Sequence, residues 1–193
     1  MRKYIFAALL AGTVAAPAMA QNAAPFTGPR VEGIVGWDRN QVEGAGKEDG
    51  VTYGAGIGYD FQMGGMVAGV EAEATDSSAD ACSNDVTVVG DRLCVGAKRD
   101  LYVGGRLGTT VTPNTLLYAK AGYTNGRFGY DYDDGGDGSL DYGNGQNLDG
   151  VRIGAGAEHA IGPNSFIKAE YRYSNYEQDV EKHQVVAGFG FRF

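Results

Sequence analysis

Beyond its first twenty residues the chain has no apolar run approaching the 20 or so residues that a membrane-crossing helix needs. Any crossing must therefore be made by strands closed into a barrel, the other architecture that satisfies every backbone group inside lipid. Cations are also scarce: 16 Lys and Arg stand against 24 Asp and Glu, for a formal charge of −8. That balance excludes nucleic acid as a partner, because phosphate binding needs a basic surface. There are two cysteines and two histidines, which leaves little for thiol or imidazole chemistry. What is abundant is glycine, 32 residues of 193, more than double the usual share of about 7%. The glycines form no Gly-X-Y repeat and alternate instead within apolar runs.

The apolar stretch at the start reads as a secretory leader. Arg2 and Lys3 precede an apolar run from Tyr4 to Ala16, and Ala18-Met19-Ala20 supplies a small-residue cleavage site. Cleavage is expected after Ala20. Residues 21–28 form a short N-terminal segment, and residues 29–193 one domain.

Eight segments of that domain alternate with period two, the signature of strands with one apolar face. In Pro29–Arg39, Val31, Val35 and Trp37 share a phase; in Gly50–Phe61, Val51, Tyr53, Ile57, Tyr59 and Phe61 do. The same pattern runs through Met66–Thr75, Asp100–Thr109, Leu116–Thr124, Val151–His159, Phe166–Ser174 and His183–Phe193. Connections alternate too. Short turns fall at Gln62–Gly65, Thr112–Thr115 and Gly162–Asn164, and long loops at Asn40–Asp49, Asp76–Arg99, Asn125–Asp149 and Asn175–Glu181. Short periplasmic turns and long extracellular loops mark an all-β, eight-stranded antiparallel up-and-down transmembrane barrel. The first and last strands should close it. Outward aromatics should form two girdles, Trp37, Tyr53, Tyr123, Tyr171 and Tyr173 at the loop ends and Tyr59, Phe61, Phe191 and Phe193 at the turn ends.

The second phase carries Glu71, Glu73, Arg106, Lys120, Arg152, Glu158, Lys168, Glu170 and Arg172. These cannot fill a dry core unpaired, so they are expected to form an ion-pair network in the lumen, with opposite charges attracting across the ladders. Glycines on the same phase, including Gly54, Gly56, Gly58, Gly104, Gly156 and Gly188, are expected to leave space there. A filled structural barrel and a narrow pore for ions or small solutes both remain open at this point, although eight-stranded barrels usually have side-chain-filled interiors.

The leader, the alternating strands and the terminal Val185-Val186-Ala187-Gly188-Phe189-Gly190-Phe191-Arg192-Phe193 resemble the OmpA-like and opacity-type family of small outer-membrane barrels, and the resemblance covers Pro29–Phe193. It implies residence in the outer membrane of a Gram-negative cell envelope and contact with outer-membrane lipid and lipopolysaccharide. A contribution to envelope integrity or surface interaction is also implied. It further implies that Phe193, with Phe191 and Phe189, is an assembly signal for the barrel assembly machinery, reached with periplasmic chaperones. No peptidoglycan-binding domain follows the last strand, so cell-wall tethering of the two-domain kind is not expected.

Cys82 and Cys94 lie close together in one extracytoplasmic loop and read as a disulfide. The loop 125–149 concentrates Asp131, Asp133, Asp134, Asp137, Asp141 and Asp149 among tyrosines. It reads as a solvated, flexible acidic loop, with divalent-cation bridging to lipopolysaccharide or a surface partner as the alternative; the twelfth position from Asp131 is Tyr142 where an EF-hand requires Glu. No metal site or cofactor is expected. His159 and His183 fall on the outward phase, neither has a Ser two residues on, and no Gly-x-Ser-x-Gly elbow occurs, so catalysis is not expected.

Overall fold

The structure is a computed structural model, which describes residues 25–42, 46–78, 80–84, 92–133, 142–177 and 180–193. Among the described residues there are nine strands, all antiparallel: β1 (Gly28–Val42), β2 (Gly46–Met63), β3 (Met66–Ser77), β4 (Asp80–Asn84), β5 (Arg92–Thr112), β6 (Thr115–Asp133), β7 (Tyr142–Ala160), β8 (Ser165–Tyr176) and β9 (Val180–Arg192). Eight of them close a barrel. β3 pairs directly with β5, with Ala72 opposite Val103, and β9 returns to β1, with Phe191 opposite Val31 and Ala187 opposite Val35. Closure leaves no open edge within the ladder, the condition for a sheet in lipid.

The alternation in sequence becomes an inside and an outside. Val35, Ile57, Val70, Val103, Leu107, Val151, Ile153 and Val185 are each more than half exposed on the outer wall, while the residues between them are buried or half-buried. Such a continuous apolar belt suits hydrocarbon and not water. Trp37, Tyr53, Tyr123 and Tyr171 are exposed near its loop end, and Tyr59, Phe61, Phe191 and Phe193 near its turn end. At the turn end the hairpins are minimal. Met63 pairs with Met66, leaving only Gly64 and Gly65 between them, and Gly64 takes φ +62°, the left-handed value required at the first position of such a turn.

The loop ends depart from expectation. The segment Asp76–Arg99 contains a ninth strand, β4, which folds back on β5 above the barrel. β6 and β7 likewise continue their ladder through Tyr132 opposite Tyr142, inside the stretch expected as a loop. In both places Asn, Asp, Ser and Gly break up the apolar rows seen lower in the barrel, but backbone pairing does not require such a row. A register shift between Ala97 and Asp100 marks where β5 enters the barrel proper, a usual place for a bulge.

Candidate functional site: the charged lumen

The inward phase of the eight barrel strands delivers a charged core. Among the described residues, eight buried cations (Arg30, Arg106, Lys120, Arg152, Lys168, Arg172, Lys182 and Arg192) accompany eight buried carboxylates (Glu32, Asp38, Asp60, Glu71, Glu73, Asp100, Glu158 and Glu170). Numerical balance matters because an isolated ion inside a low-dielectric barrel would carry a desolvation penalty of several kcal/mol.

Pairing is organised in three tiers. Nearest the short turns, Asp60 accepts from three guanidinium groups: Arg106 through Nε at 2.8 Å and Nη2 at 2.6 Å, Arg192 through Nη2 at 2.8 Å, and Arg30 through Nε at 3.1 Å. Glu158 takes Arg106 Nη1 at 2.9 Å and lies 2.9 Å from Arg192 Nη2. At mid-barrel, Lys120 Nζ sits 2.7 Å from Glu71, 2.8 Å from Glu73 and 3.0 Å from Glu170. Arg172 bonds Glu73 at 2.9 Å and also Glu170, while Lys168 reaches Glu32 at 2.7 Å. Arg30 links the two tiers through Glu32 at 3.0 Å and through Glu71. Toward the loops, Asp100 accepts from Arg152, from Tyr176 at 2.9 Å and from Thr124 at 2.8 Å, and Lys182 pairs with Asp38 at 3.1 Å. Tyrosines complete the packing. Arg106 lies over the Tyr118 ring at 4.9 Å and Lys120 over Tyr102 at 4.5 Å, and the Tyr118 hydroxyl donates to Glu170 at 2.7 Å.

All nine residues singled out in the sequence are buried in the lumen, and contacts such as Arg106–Glu158 and Lys120–Glu170 join them. The pairing rule differs from expectation. Arg106 and Lys120 are direct ladder partners of like charge, and Lys168, across the ladder from Glu158, bonds Glu32 instead. Several partners, such as Arg106–Asp60 and Lys120–Glu71, are met beyond the neighbouring strand because side chains of this length reach past it, while Arg30–Glu32 and Arg172–Glu170 pair along one strand. The inward glycines also do not leave space. A Cβ at Gly104 would lie 2.2 Å from the Tyr102 hydroxyl, one at Gly156 2.8 Å from that of Tyr118, and ones at Gly58 and Gly188 2.9 Å from side-chain atoms of Arg30 and Lys168. Their room is taken by the long neighbours that fold over them.

Arg30, Glu32, Asp38, Asp60, Asp100, Lys182 and Arg192 join the network without having been singled out as site residues. Their signal was the inward phase itself, which every one of them shares. At the outer rim, by contrast, Arg39 bonds Asp49 at 2.7 Å with both side chains about half exposed. That hydrogen bond holds the Asp49 carboxyl below its ordinary value and the Arg39 guanidinium above its own.

The other candidate residues are dispersed. His159 Nδ1 lies 3.0 Å from Thr115 Oγ1, and His183 Nδ1 lies 2.7 Å from the Tyr171 hydroxyl, at opposite ends of the outer wall. Phe189 and Phe191 face outward edge to face, their ring centroids 5.1 Å apart, and Phe193 N donates to Pro29 O at 2.9 Å. Residues 1–24, with the expected leader, lie outside the described residues, as do Asp134, Asp137 and Asp141 of the acidic loop. The side chains of Asp131 and Asp133 also lie outside; Asp149 accepts from Tyr123 at 2.5 Å and Asn125 at 2.6 Å. Among the described residues no cluster of three or more potential ligands suits a metal.

The cysteine side chains lie outside the described part, but the backbone sets Cys82 directly opposite Cys94 in the β4–β5 ladder. Directly opposed antiparallel residues have the Cα separation that a disulfide spans. Purified protein is expected to show no alkylatable thiol until reduced, and reduction to lower stability by about 3 kcal/mol for a loop of this size. Two thiols titrating in the unreduced protein would refute the bridge.

A closed eight-stranded barrel with an apolar outer belt, aromatic girdles and a charge-paired interior is an integral outer-membrane β-barrel. The family model described as outer membrane protein beta-barrel domain matches residues 6–193, and the chain belongs to that family. It is 28% identical over 177 residues to the 31 kDa outer-membrane immunogenic protein of Brucella melitensis, covering 81% of this chain and 72% of that one. It is 29% identical over 157 residues to the 22 kDa outer membrane protein of Rhizobium leguminosarum, covering 73% and 65%. Among solved structures, the attachment invasion locus protein Ail of Yersinia pestis aligns with a TM-score of 0.59 at 19% identity, over 86% of this chain and 99% of that one. Neisserial surface protein A aligns at 0.60 with 16% identity, over 86% and 98%. The protein is thus an outer-membrane β-barrel protein of a Gram-negative envelope.

Proposed function

We propose that this barrel serves a structural and surface-interaction role in the outer membrane, with the ion-paired lumen as its rigid core and the extracellular strands and loops as its contact surface. The observation that carries this reading is the balanced network of sixteen buried charges, whose long side chains occupy the interior from the short turns to Asp100 and Lys182. A narrow channel would need a continuous water path. The inward glycines that could have supplied one are covered by Arg30, Tyr102, Tyr118 and Lys168.

Outside the barrel the partner chemistry follows charge. Ail of Yersinia pestis has been solved in complex with the heparin analogue sucrose octasulfate. The aspartates of residues 125–149 would repel such a polyanion, so this loop suits a cationic ligand, or lipopolysaccharide through a divalent cation. No catalytic role is assigned: His159 and His183 meet the hydroxyls of Thr115 and Tyr171 at opposite ends of the outer wall and do not share a site. Refolded protein in planar bilayers is expected to show no reproducible channel steps. Steps in the unaltered protein that change with Arg106→Ala or Glu71→Ala would overturn the structural reading in favour of a pore.

A further inference from the structure

The barrel mouth at the short-turn end is unlike the rest of the lumen. The first inward residue after each of the three short turns is apolar: Val67 on β3, Leu116 on β6 and Phe166 on β8, all buried. Three apolar walls around an open mouth would meet periplasmic water. They do not, because Phe26, from the segment ahead of β1, packs in one buried cluster with Val67, Leu116 and Tyr118 and is itself completely buried. The Arg192 guanidinium is shared between the two rings, 5.5 Å from the Phe26 centroid and 5.2 Å from that of Phe166.

The segment is tied down on both sides. Phe26 N donates to Gln62 Oε1 at 3.2 Å and Gln62 N donates to Thr27 Oγ1 at 3.0 Å, at the end of β2. On the β9 side, Arg192 Nη1 donates to Pro25 O at 3.2 Å. The turn from this strap into β1 is made at Gly28 with φ +122°, and a Cβ there would stand 2.2 Å from the Phe193 carbonyl oxygen. Only glycine lets the chain cross the rim so close to the last residue.

We propose that residues 25–28 form a strap whose Phe26 corks the periplasmic mouth, sealing the ion-pair network from periplasmic water. The cork is a separable part: it hangs from the barrel by hydrogen bonds to Gln62 and Arg192 and belongs to no ladder before Gly28. The cork reading does not depend on the surface-interaction role.

The test is the reactivity of a thiol placed beneath it. Leu116→Cys, in protein with Cys82 and Cys94 replaced by serine, is refolded and exposed to a bulky, charged maleimide. With Phe26 in place labelling should be slow. Phe26→Ala should speed it by about tenfold or more, as local opening replaces a permanent cover, whereas Phe26→Leu should keep it slow. The heat-dependent gel mobility of a folded barrel shows that each variant is folded. If the Ala variant is unfolded, Gly28→Val, which displaces the strap while keeping its ring, should give the same acceleration. Equal labelling rates with and without the Phe26 ring in folded protein would overturn the proposal.

Discussion

Glu73→Leu is expected to lower the unfolding free energy by about 3–5 kcal/mol, the range for removing one partner of a buried ionic cluster. The size follows from how many cations that carboxylate serves. Lys120 and Arg172 lie 2.8 and 2.9 Å from it, and Lys168 and Arg152 lie 3.6 and 3.9 Å away. All are buried, so no solvent can replace the lost charge, and the lumen is left with an excess cation. Equilibrium unfolding in urea from lipid vesicles measures the effect. The rim pair is the internal comparison. Arg39 and Asp49 are about half exposed, so Asp49→Asn should leave stability nearly unchanged, and any effect should vanish as salt is raised. Similar effects at Glu73 and Asp49 would show that the lumen is hydrated well enough to screen its charges.

Deleting Phe193 should sharply reduce the amount of folded barrel in the outer membrane of cells, while protein refolded in vitro loses little stability. The terminal ring is 60% exposed on the outer wall, so removing it forfeits at most about 2–3 kcal/mol of apolar burial in lipid. Its backbone adds one hydrogen bond, to Pro29 O. Neither loss suffices to unfold a barrel closed by the whole β1–β9 ladder. A large defect in cells would therefore come from the resemblance-derived role of Phe189, Phe191 and Phe193 as an assembly signal. Heat-modifiable protein in the outer-membrane fraction is the readout, and normal insertion of the deletion would count against that role.

Inside the bilayer the fold was legible because lipid imposes a rule on every second residue. Val31, Val35 and Trp37 declare β1, and Leu117, Ala119 and Tyr123 declare β6, whatever the rest of the chain does. Above the bilayer the rule lapses. β4 and the outer ladder of β6 and β7 are rich in Asn, Asp and Gly, with Leu148 buried beside Tyr176 and Val180, so their sequences look like loops although their backbones pair. The candidate site was legible as a set of residues but not as a set of pairs. Phase alone places Arg106 and Lys120 inside; that Arg106 turns to Asp60 and Lys120 to Glu71 depends on which strands face each other across the closed barrel. Asp60 was the hardest to see, a single carboxylate between the outward Tyr59 and Phe61, and it proves to serve three arginines. Phe26 carried no signal, because it precedes the first alternating strand and periodicity begins only at β1.

Whether the lumen is a dry, mutually paired core is decided by a double-mutant cycle on Asp60 and Arg106. The two side chains meet through two parallel bonds, Nε to Oδ1 at 2.8 Å and Nη2 to Oδ2 at 2.6 Å, the geometry of a strong charge-assisted pair. With Asp60→Asn, Arg106→Gln and the double variant unfolded under the same conditions, the coupling energy should reach about 2–3 kcal/mol. Additive effects, with coupling indistinguishable from zero, would mean that water and not Asp60 solvates Arg106, and the filled-lumen account would fail.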